Sequence, residues 1–336
     1  MRERIGVVGA GSWGTTLANL LAKKGHDVHL WSYEEEVTLE INDGRVNASY
    51  LPDVELDGNL TSTSDLEEAV SGSSVVVSVS PSQHVRRVMS QAAGHMERET
   101  VVVSASKGIE TSTLETMAEV LEDALPERSH RTLTFLSGPS FAAEVAREQP
   151  TAVTVASRNG RVARRVQDLF QTDYFRVYTS HDVVGVELGG ALKNVMALAA
   201  GMAAGLGLGH NTRAALITRG LAEMSRLGVA LGANPLTFAG LAGMGDLILT
   251  CTGDLSRNRS VGYALGQGRK LDDILGEMRM VAEGVETTRA AHALAQQEEV
   301  EMPIVAEVHR VLFEGVAPAE AVRNLMEREP KAEFWR

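Results

Sequence analysis

The run Gly9-Ala10-Gly11-Ser12-Trp13-Gly14 has the spacing G-x-G-x-x-G. It follows a short apolar strand pattern and opens a helical one. In that context such a loop cradles the pyrophosphate of a dinucleotide. Gly9 permits the tight turn, Gly11 lets the phosphates approach the backbone, and Gly14 lets the helix pack close to the sheet. The free amides around Ser12 and Trp13 would face the phosphates.

Two lysines need more than a surface role. Lys107 lies in Ser106-Lys107-Gly108, after a strand pattern, at the edge where sheets of this kind bind ligands. Lys193 stands beside Asn194 among Leu192, Val195, Met196 and Leu198. A buried ammonium is costly without a partner, and burial or a second cation lowers its pKa toward the range of general acid–base work. Asp246 and Thr250, four residues apart after Gly243-Met244-Gly245, supply a carboxylate and a hydroxyl. Ser256-Arg257-Asn258-Arg259 is a compact set of anion donors, in which Arg257 could hold a phosphate in a bidentate fork. Gly138-Pro139-Ser140-Phe141-Ala142 suits close approach of a ligand, or a plain turn with Ser140 capping the next helix. Glu283-Gly284 closes a second polar loop after Val281.

The second strand pattern ends in Trp31-Ser32-Tyr33-Glu34-Glu35-Glu36. An acid at this point takes the ribose 2′-OH of NAD, and an arginine accommodates the 2′-phosphate of NADP. Ser32 is neutral, Tyr33 could stack on adenine or reach the ribose, and no arginine follows. The acidic run would repel a phosphate, or it is the solvated first turn of a helix. The choice between NAD and NADP stays open, with Arg45 as a cation that could enter from nearby.

These groups need a scaffold. Strand patterns fall at Ile5–Val8, Asp27–Trp31, Val75–Val79, Thr100–Ser104, Thr132–Leu136 and Ala152–Ala156, with helical patterns such as Thr15–Lys24, Ser82–Met96 and Ser112–Glu122 between them. The alternation predicts an α/β first half, a doubly wound, largely parallel sheet of the Rossmann type. Beyond about residue 180 the strand patterns stop. Helical patterns continue at Val183–Ala204, Thr212–Leu231, Asn234–Leu241, Ser260–Gln267, Leu271–Met278, Glu286–Gln297, Ile304–Phe313 and Pro318–Leu325. Residues 1–180 therefore read as a nucleotide-binding domain, and residues 181–336 as an all-α domain with a charged tail, Arg328–Arg336.

Composition narrows the function. The chain has 336 residues, enough for two domains at roughly 100–200 residues each. Its net charge of −12 and lack of a basic stripe exclude nucleic acid as the expected partner, so an anionic ligand must be held by a local cluster. The single cysteine, Cys251, allows no intrachain disulfide and fits a cytoplasmic protein. Ile5–Val8 is too short for a signal-peptide core. The weakly polar stretch Val183–Gly209 carries Glu187, Lys193 and Asn194 and reads as a buried helix, so no membrane insertion is expected. The nine histidines show no zinc-ligand spacing, and no metal is expected.

Taken in order, the glycine loop, Ser106-Lys107-Gly108, Ser137-Gly138-Pro139-Ser140-Phe141-Ala142, Gly189-Gly190-Ala191-Leu192-Lys193-Asn194, Leu216-Ile217-Thr218-Arg219-Gly220, Gly243-Met244-Gly245-Asp246, Ser256-Arg257-Asn258-Arg259 and Met302-Pro303-Ile304 resemble the bacterial NAD(P)-dependent sn-glycerol-3-phosphate dehydrogenases over residues 5–325. The resemblance implies reversible reduction of dihydroxyacetone phosphate to sn-glycerol 3-phosphate, feeding glycerophospholipid synthesis, with NAD or NADP as cofactor. It implies a homodimer, a second domain, residues 181–336, that binds the substrate, and a site in the cleft between the two domains. Lys193 matches the family's proton acceptor. Lys107, Gly138, Ser140, Lys193, Asp246, Ser256, Arg257 and Asn258 match its substrate-contacting positions. Gly11, Ser12, Trp13, Tyr33, Lys107, Ala142, Arg257, Val281 and Glu283 match cofactor-contacting ones, and Tyr50 is a further candidate. Many members carry His or Arg at the Ser32-Tyr33 step, and this chain has neither. A ketopantoate-type reductase is the nearest rival, and it would want a carboxylate site in place of the phosphate grip. A cofactor sensor without turnover is the rival of another class.

Overall fold

Unbroken Val and Ile runs make strands that are buried on both faces, and a sheet built from them must be covered by helices on both sides. The computed structural model describes residues 2–330 and 332–333; Lys331 and Phe334–Arg336 of the charged tail lie outside the described residues. The described strands are β1 (Arg4–Val8), β2 (Asp27–Trp31), β3 (Leu60–Thr63), β4 (Val75–Ser78), β5 (Val101–Ser104), β6 (Leu133–Ser137), β7 (Thr151–Ala156) and β8 (Phe175–Ser180). They form one sheet in the order β3-β2-β1-β4-β5-β6-β7-β8. Strands β1 to β6 are parallel in the 3-2-1-4-5-6 order of a dinucleotide-binding sheet. Strand β7 runs antiparallel to β6, and β8 parallel to β7.

Two strands were not legible in the sequence. In β3, Leu-Thr-Ser-Thr, the only apolar residue is Leu60, because an edge strand buries few side chains. In β8 buried Phe175 and Val177 alternate with exposed Arg176 and Tyr178, so the apolar run is broken.

The helices over the sheet are α1 (Ser12–Lys23), α2 (Glu35–Gly44), α3 (Leu66–Val70), α4 (Val85–Ala92), α5 (Met117–Ala124), α6 (Ala142–Ala146) and α7 (Gly160–Phe170). Helix α5 starts five residues later than the pattern from Ser112, at a capping box formed by Thr116 and Glu119. The second half is built from α8 (Val183–Gly205), α9 (His210–Ala230), α10 (Pro235–Phe238), α11 (Asp246–Thr252), α12 (Arg257–Gly266), α13 (Leu271–Gly276), α14 (Glu283–Gln297), α15 (Pro303–Phe313) and α16 (Pro318–Met326). A wide π-type turn, Leu241–Gly245, leads into α11. The Asn234–Leu241 pattern thus shrinks to α10, while Asp246 and Thr250 fall on one face of a helix.

Helix α8 is the axis of this half. It is long and apolar enough to cross a membrane, but 83% of its apolar window is buried inside the protein. Helix α12 lies directly on it. A Cβ at Gly201 would sit 2.1 Å from the Arg259 carbonyl oxygen, and one at Gly262 would sit 2.1 Å from that of Leu198. Only glycine allows two backbones to meet this closely.

Candidate active site

The carboxyl ends of β1, β4 and β5 are in register through Val8, Ser78 and Ser104. The loops that follow them open into one cleft of about 790 Å³, whose opposite wall is made by α8, α11, α12 and the start of α14. Gly11, Ser12, Trp13, Tyr33, Tyr50, Lys107, Ser140, Ala142, Lys193, Ser256, Arg257, Asn258, Val281 and Glu283 all line it. Gly138 and Asp246 do not. They stand behind Lys107, which donates to the Gly138 carbonyl at 3.0 Å and to Asp246 Oδ2 at 2.7 Å.

The glycine loop has the shape its spacing requires. Gly9 takes φ +123°, and a Cβ at Gly14 would collide with the Gly9 carbonyl oxygen at 1.8 Å. A Cβ at Gly11 would meet nothing within 4 Å, and no side chain caps the N-terminus of α1. Free amides and open space together fit a pyrophosphate.

Asp246, 2% exposed, is the centre of the polar cluster. Its Oδ1 lies 3.1 Å from Lys193 Nζ. Lys193 Nζ also donates to Thr250 Oγ1 at 2.8 Å, and that hydroxyl donates to the Asp246 carbonyl at 2.7 Å. Burial pushes the Lys193 pKa down to about 8; the Lys107 cation works in the same direction and Asp246 opposes both. The same burial pushes the neighbouring Cys251 thiol up to about 12, so it is an inert thiol packed in the core.

The Ser256–Arg259 cluster is not a loop. Ser256 is the N-cap of α12, its hydroxyl accepting from the Arg259 amide, so Arg257 and Asn258 sit on the first helical turn. Asn258 is clamped: its Nδ2 donates to Asn194 Oδ1 at 3.0 Å and its Oδ1 accepts from the Gly284 amide at 2.9 Å. Arg257 donates to the Val281 carbonyl at 3.1 Å. That carbonyl precedes α14, so Arg257 is not a cap on the last carbonyls of a helix. Ser140 is no helix cap either, since its hydroxyl donates to the Gly138 carbonyl and α6 follows Phe141 with no side-chain cap.

Glu283 reaches across the cleft to the loop after β4, where it accepts from the amide and hydroxyl of Ser82. Ser82 was missed in the sequence because nothing near it marks a partner two hundred residues away. At the other end, the Tyr50 hydroxyl donates to Glu34 at 2.8 Å. Burial first, and then Glu34, raise the Tyr50 pKa against the opposing charge of Arg279. Arg45 is turned away from this end, its guanidinium donating to the Leu56 and Leu60 carbonyls. Arg87, Arg279 and Met280 also line the cleft and were not singled out. The available signals were Arg86-Arg87 opening a helix after a strand, and a lone cation in Met278-Arg279-Met280 just before Glu283.

The family described as NAD-dependent glycerol-3-phosphate dehydrogenase N-terminus matches residues 4–163, and its C-terminus counterpart matches residues 182–323. The chain is 62% identical over 333 residues to the glycerol-3-phosphate dehydrogenase (NAD(P)+) of Citrifermentans bemidjiense, covering 99% of both chains. It is 61% identical to that of Geobacter sulfurreducens over 335 residues, covering 100% of both. The crystal structure of glycerol-3-phosphate dehydrogenase from Coxiella burnetii superposes with a TM-score of 0.93 at 40% identity, over 97% of this chain and 99% of that one.

Proposed function

Since the chain belongs to the NAD(P)-dependent glycerol-3-phosphate dehydrogenase family, oxidoreductases acting on a CH–OH group, we propose that this cleft reduces dihydroxyacetone phosphate reversibly to sn-glycerol 3-phosphate, with Lys193 as the proton donor. The observation that carries the reading is the single buried carboxylate of Asp246 holding two lysines at the cleft wall, beside the first turn of α12.

A nicotinamide cofactor held in this cleft would supply or take the hydride. The rest falls to the chain. In the reduction direction the substrate carbonyl oxygen gains negative charge and must be protonated. Lys193, with its pKa lowered to about 8, gives that proton readily and takes it back in reverse. Lys107 is a second cation at the same carboxylate and would polarise the same oxygen. Asp246 and Thr250 fix the direction of the Lys193 ammonium, which is a positioning role. Arg257, Asn258 and the free amides at the start of α12 would hold the phosphate far from the reacting carbon, and so orient it. Ser140 and Gly138 would shape the turn behind the substrate. On the cofactor side, the amides of α1 at Ser12 and Trp13 would take the pyrophosphate over Gly11. Tyr33 and Tyr50 would flank the adenosine, with Ala142, Val281 and Glu283 along the remaining wall.

Residues 1–180 serve in this reading as the nucleotide-binding domain and residues 181–336 as the substrate domain. A homodimer, a cytoplasmic location without membrane insertion, and supply of glycerophospholipid synthesis belong to the same proposal.

The test is oxidation of NADH or NADPH with dihydroxyacetone phosphate as acceptor. Turnover should be rapid with the phosphorylated ketone and nearly absent with dihydroxyacetone. Equal rates with both ketones would remove the phosphate grip from the proposal.

A further inference from the structure

The ribose end of the cleft carries an acid, Glu34, and neither Ser32 nor Arg45 brings a cation to it. Ser32 is fully buried. Glu34 is exposed and accepts from the Tyr50 hydroxyl. Arg45 is occupied by two backbone carbonyls. A basic residue nevertheless reaches this place from the helical half. The segment between α13 and α14 crosses the mouth of the cleft, fixed at two points. The Ser12 hydroxyl, which donates to the Tyr50 carbonyl, also meets the Met280 sulfur at 3.3 Å, over the N-terminus of α1. One residue on, the Val281 carbonyl is held by Arg257. Arg279, before Met280, lies near Tyr50 and lines the cleft with Tyr33 and Glu34. Its side chain is exposed and makes no hydrogen bond or ion pair with any described residue.

We propose that Arg279 receives the 2′-phosphate of NADP and thereby sets this chain's choice between the two nicotinamide cofactors. The proposal rests on the cofactor reading above. The pyrophosphate already has the uncapped amides of α1, so the guanidinium one residue before Met280, near Tyr50, is left for a further phosphate. Glu34 suits the free 2′-OH of NAD and repels a phosphate there. Arg279 offsets that repulsion, so the site takes both cofactors. A recognition residue contributed by the helical half also engages only when the Met280 segment lies across the mouth.

The experiment is calorimetric titration of the full chain with 2′,5′-ADP, 5′-AMP, NADPH and NADH. Arg279→Ala should weaken 2′,5′-ADP and NADPH by at least about tenfold, the strength of a charge-assisted contact. The same variant should leave 5′-AMP and NADH within twofold. Arg279→Lys should recover part of the loss. Arg87→Ala, at another exposed arginine lining the cleft, should lower all four ligands alike or none. Equal losses of NADH and NADPH in Arg279→Ala would place Arg279 at a phosphate common to both and overturn the proposal. Unchanged affinities, or a selective loss of NADPH in Arg87→Ala instead, would overturn it too. Failure of the unsubstituted chain to bind any of the four would overturn the cofactor reading itself. Because the Arg279 side chain is exposed and unpaired, an unchanged melting temperature is expected and checks that the variant is folded.

Discussion

Lys107 and Lys193 hold opposite oxygens of one carboxylate: Lys107 Nζ is 2.7 Å from Asp246 Oδ2, and Lys193 Nζ is 3.1 Å from Oδ1. Two cations around one buried anion leave a net positive charge at the cleft wall, where a carbonyl oxygen gaining negative charge would be stabilised. The arrangement also divides the labour. Lys193 is the buried, pKa-shifted member, and Lys107 is the more accessible one.

Lys193→Ala should lower kcat by ~10²–10⁴-fold, the range of a general acid–base group, while NADH and NADPH still bind. Steady-state kinetics with dihydroxyacetone phosphate and fluorescence titration of the cofactor check the two halves. Retention of the original kcat would move the proton donor to Lys107.

The pH profile should follow Lys193. It must be protonated to reduce the ketone, so the reducing rate should fall as pH rises through about 8, and the oxidising rate should climb through the same window. Lys107→Met removes a cation that pushes this pKa down, so the limb should move to higher pH. Asp246→Asn removes the anion that pulls it up, so the limb should move lower. Stability carries the opposite consequence. Between about 8 and the ordinary 10.5 the unfolded chain binds more protons at this site than the native one, so the Lys193 contribution to stability improves as pH rises through that window. Limbs that stay put in both variants would assign the titration to another group.

Arg257→Lys keeps the charge and loses the fork. A KM for dihydroxyacetone phosphate raised about ten- to a hundredfold is expected, at 1.4 kcal/mol per decade. Phosphite should partly restore turnover of dihydroxyacetone in the unsubstituted protein, and less so in Arg257→Ala. The Val281 contact predicts a small fall in melting temperature besides. A lowered melting temperature with KM unchanged would leave Arg257 as a tie between α12 and the Met280 segment, outside the substrate site.

Gly262→Ala should destabilise the chain by ~1–3 kcal/mol, the usual cost of overpacking. The added Cβ would start 2.1 Å from the Leu198 carbonyl oxygen, which is main chain and cannot rotate away. Urea denaturation of the two proteins measures it. An unaltered midpoint would mean that α8 and α12 can separate freely.

The residues of the candidate site were more legible in the sequence than the sheet was. The site motifs are local, and the chemistry of Lys107, Lys193, Asp246 and Arg257 is written in residue type and neighbours. What escaped was set at long range. Strand β3 depends on pairing with β2 more than on its own Leu-Thr-Ser-Thr, and the antiparallel step from β6 to β7 leaves no trace in either strand. Ser256 was legible as an anion donor but not as a helix cap, because Arg257-Asn258-Arg259 carries no apolar face to mark a first turn. For Arg279 the lone cation in Met278-Arg279-Met280 was a signal without an address, since only the folded chain brings residues 279 and 50 to one end of a cleft.

The glycine seam between α8 and α12 bears on what the pocket measures. In the proposed reading, helix α8 carries the lysine that would meet the carbonyl, and α12 begins with the residues that would meet the phosphate. Their main chains touch at Gly201 and Gly262. In that reading the span between the two ends of the substrate would be gauged by backbone against backbone. A side chain can turn to admit a bulkier group, but this gauge lengthens only if the helices part. A ketone with one more carbon between carbonyl and phosphate would satisfy every charge in the cleft and still be the wrong length.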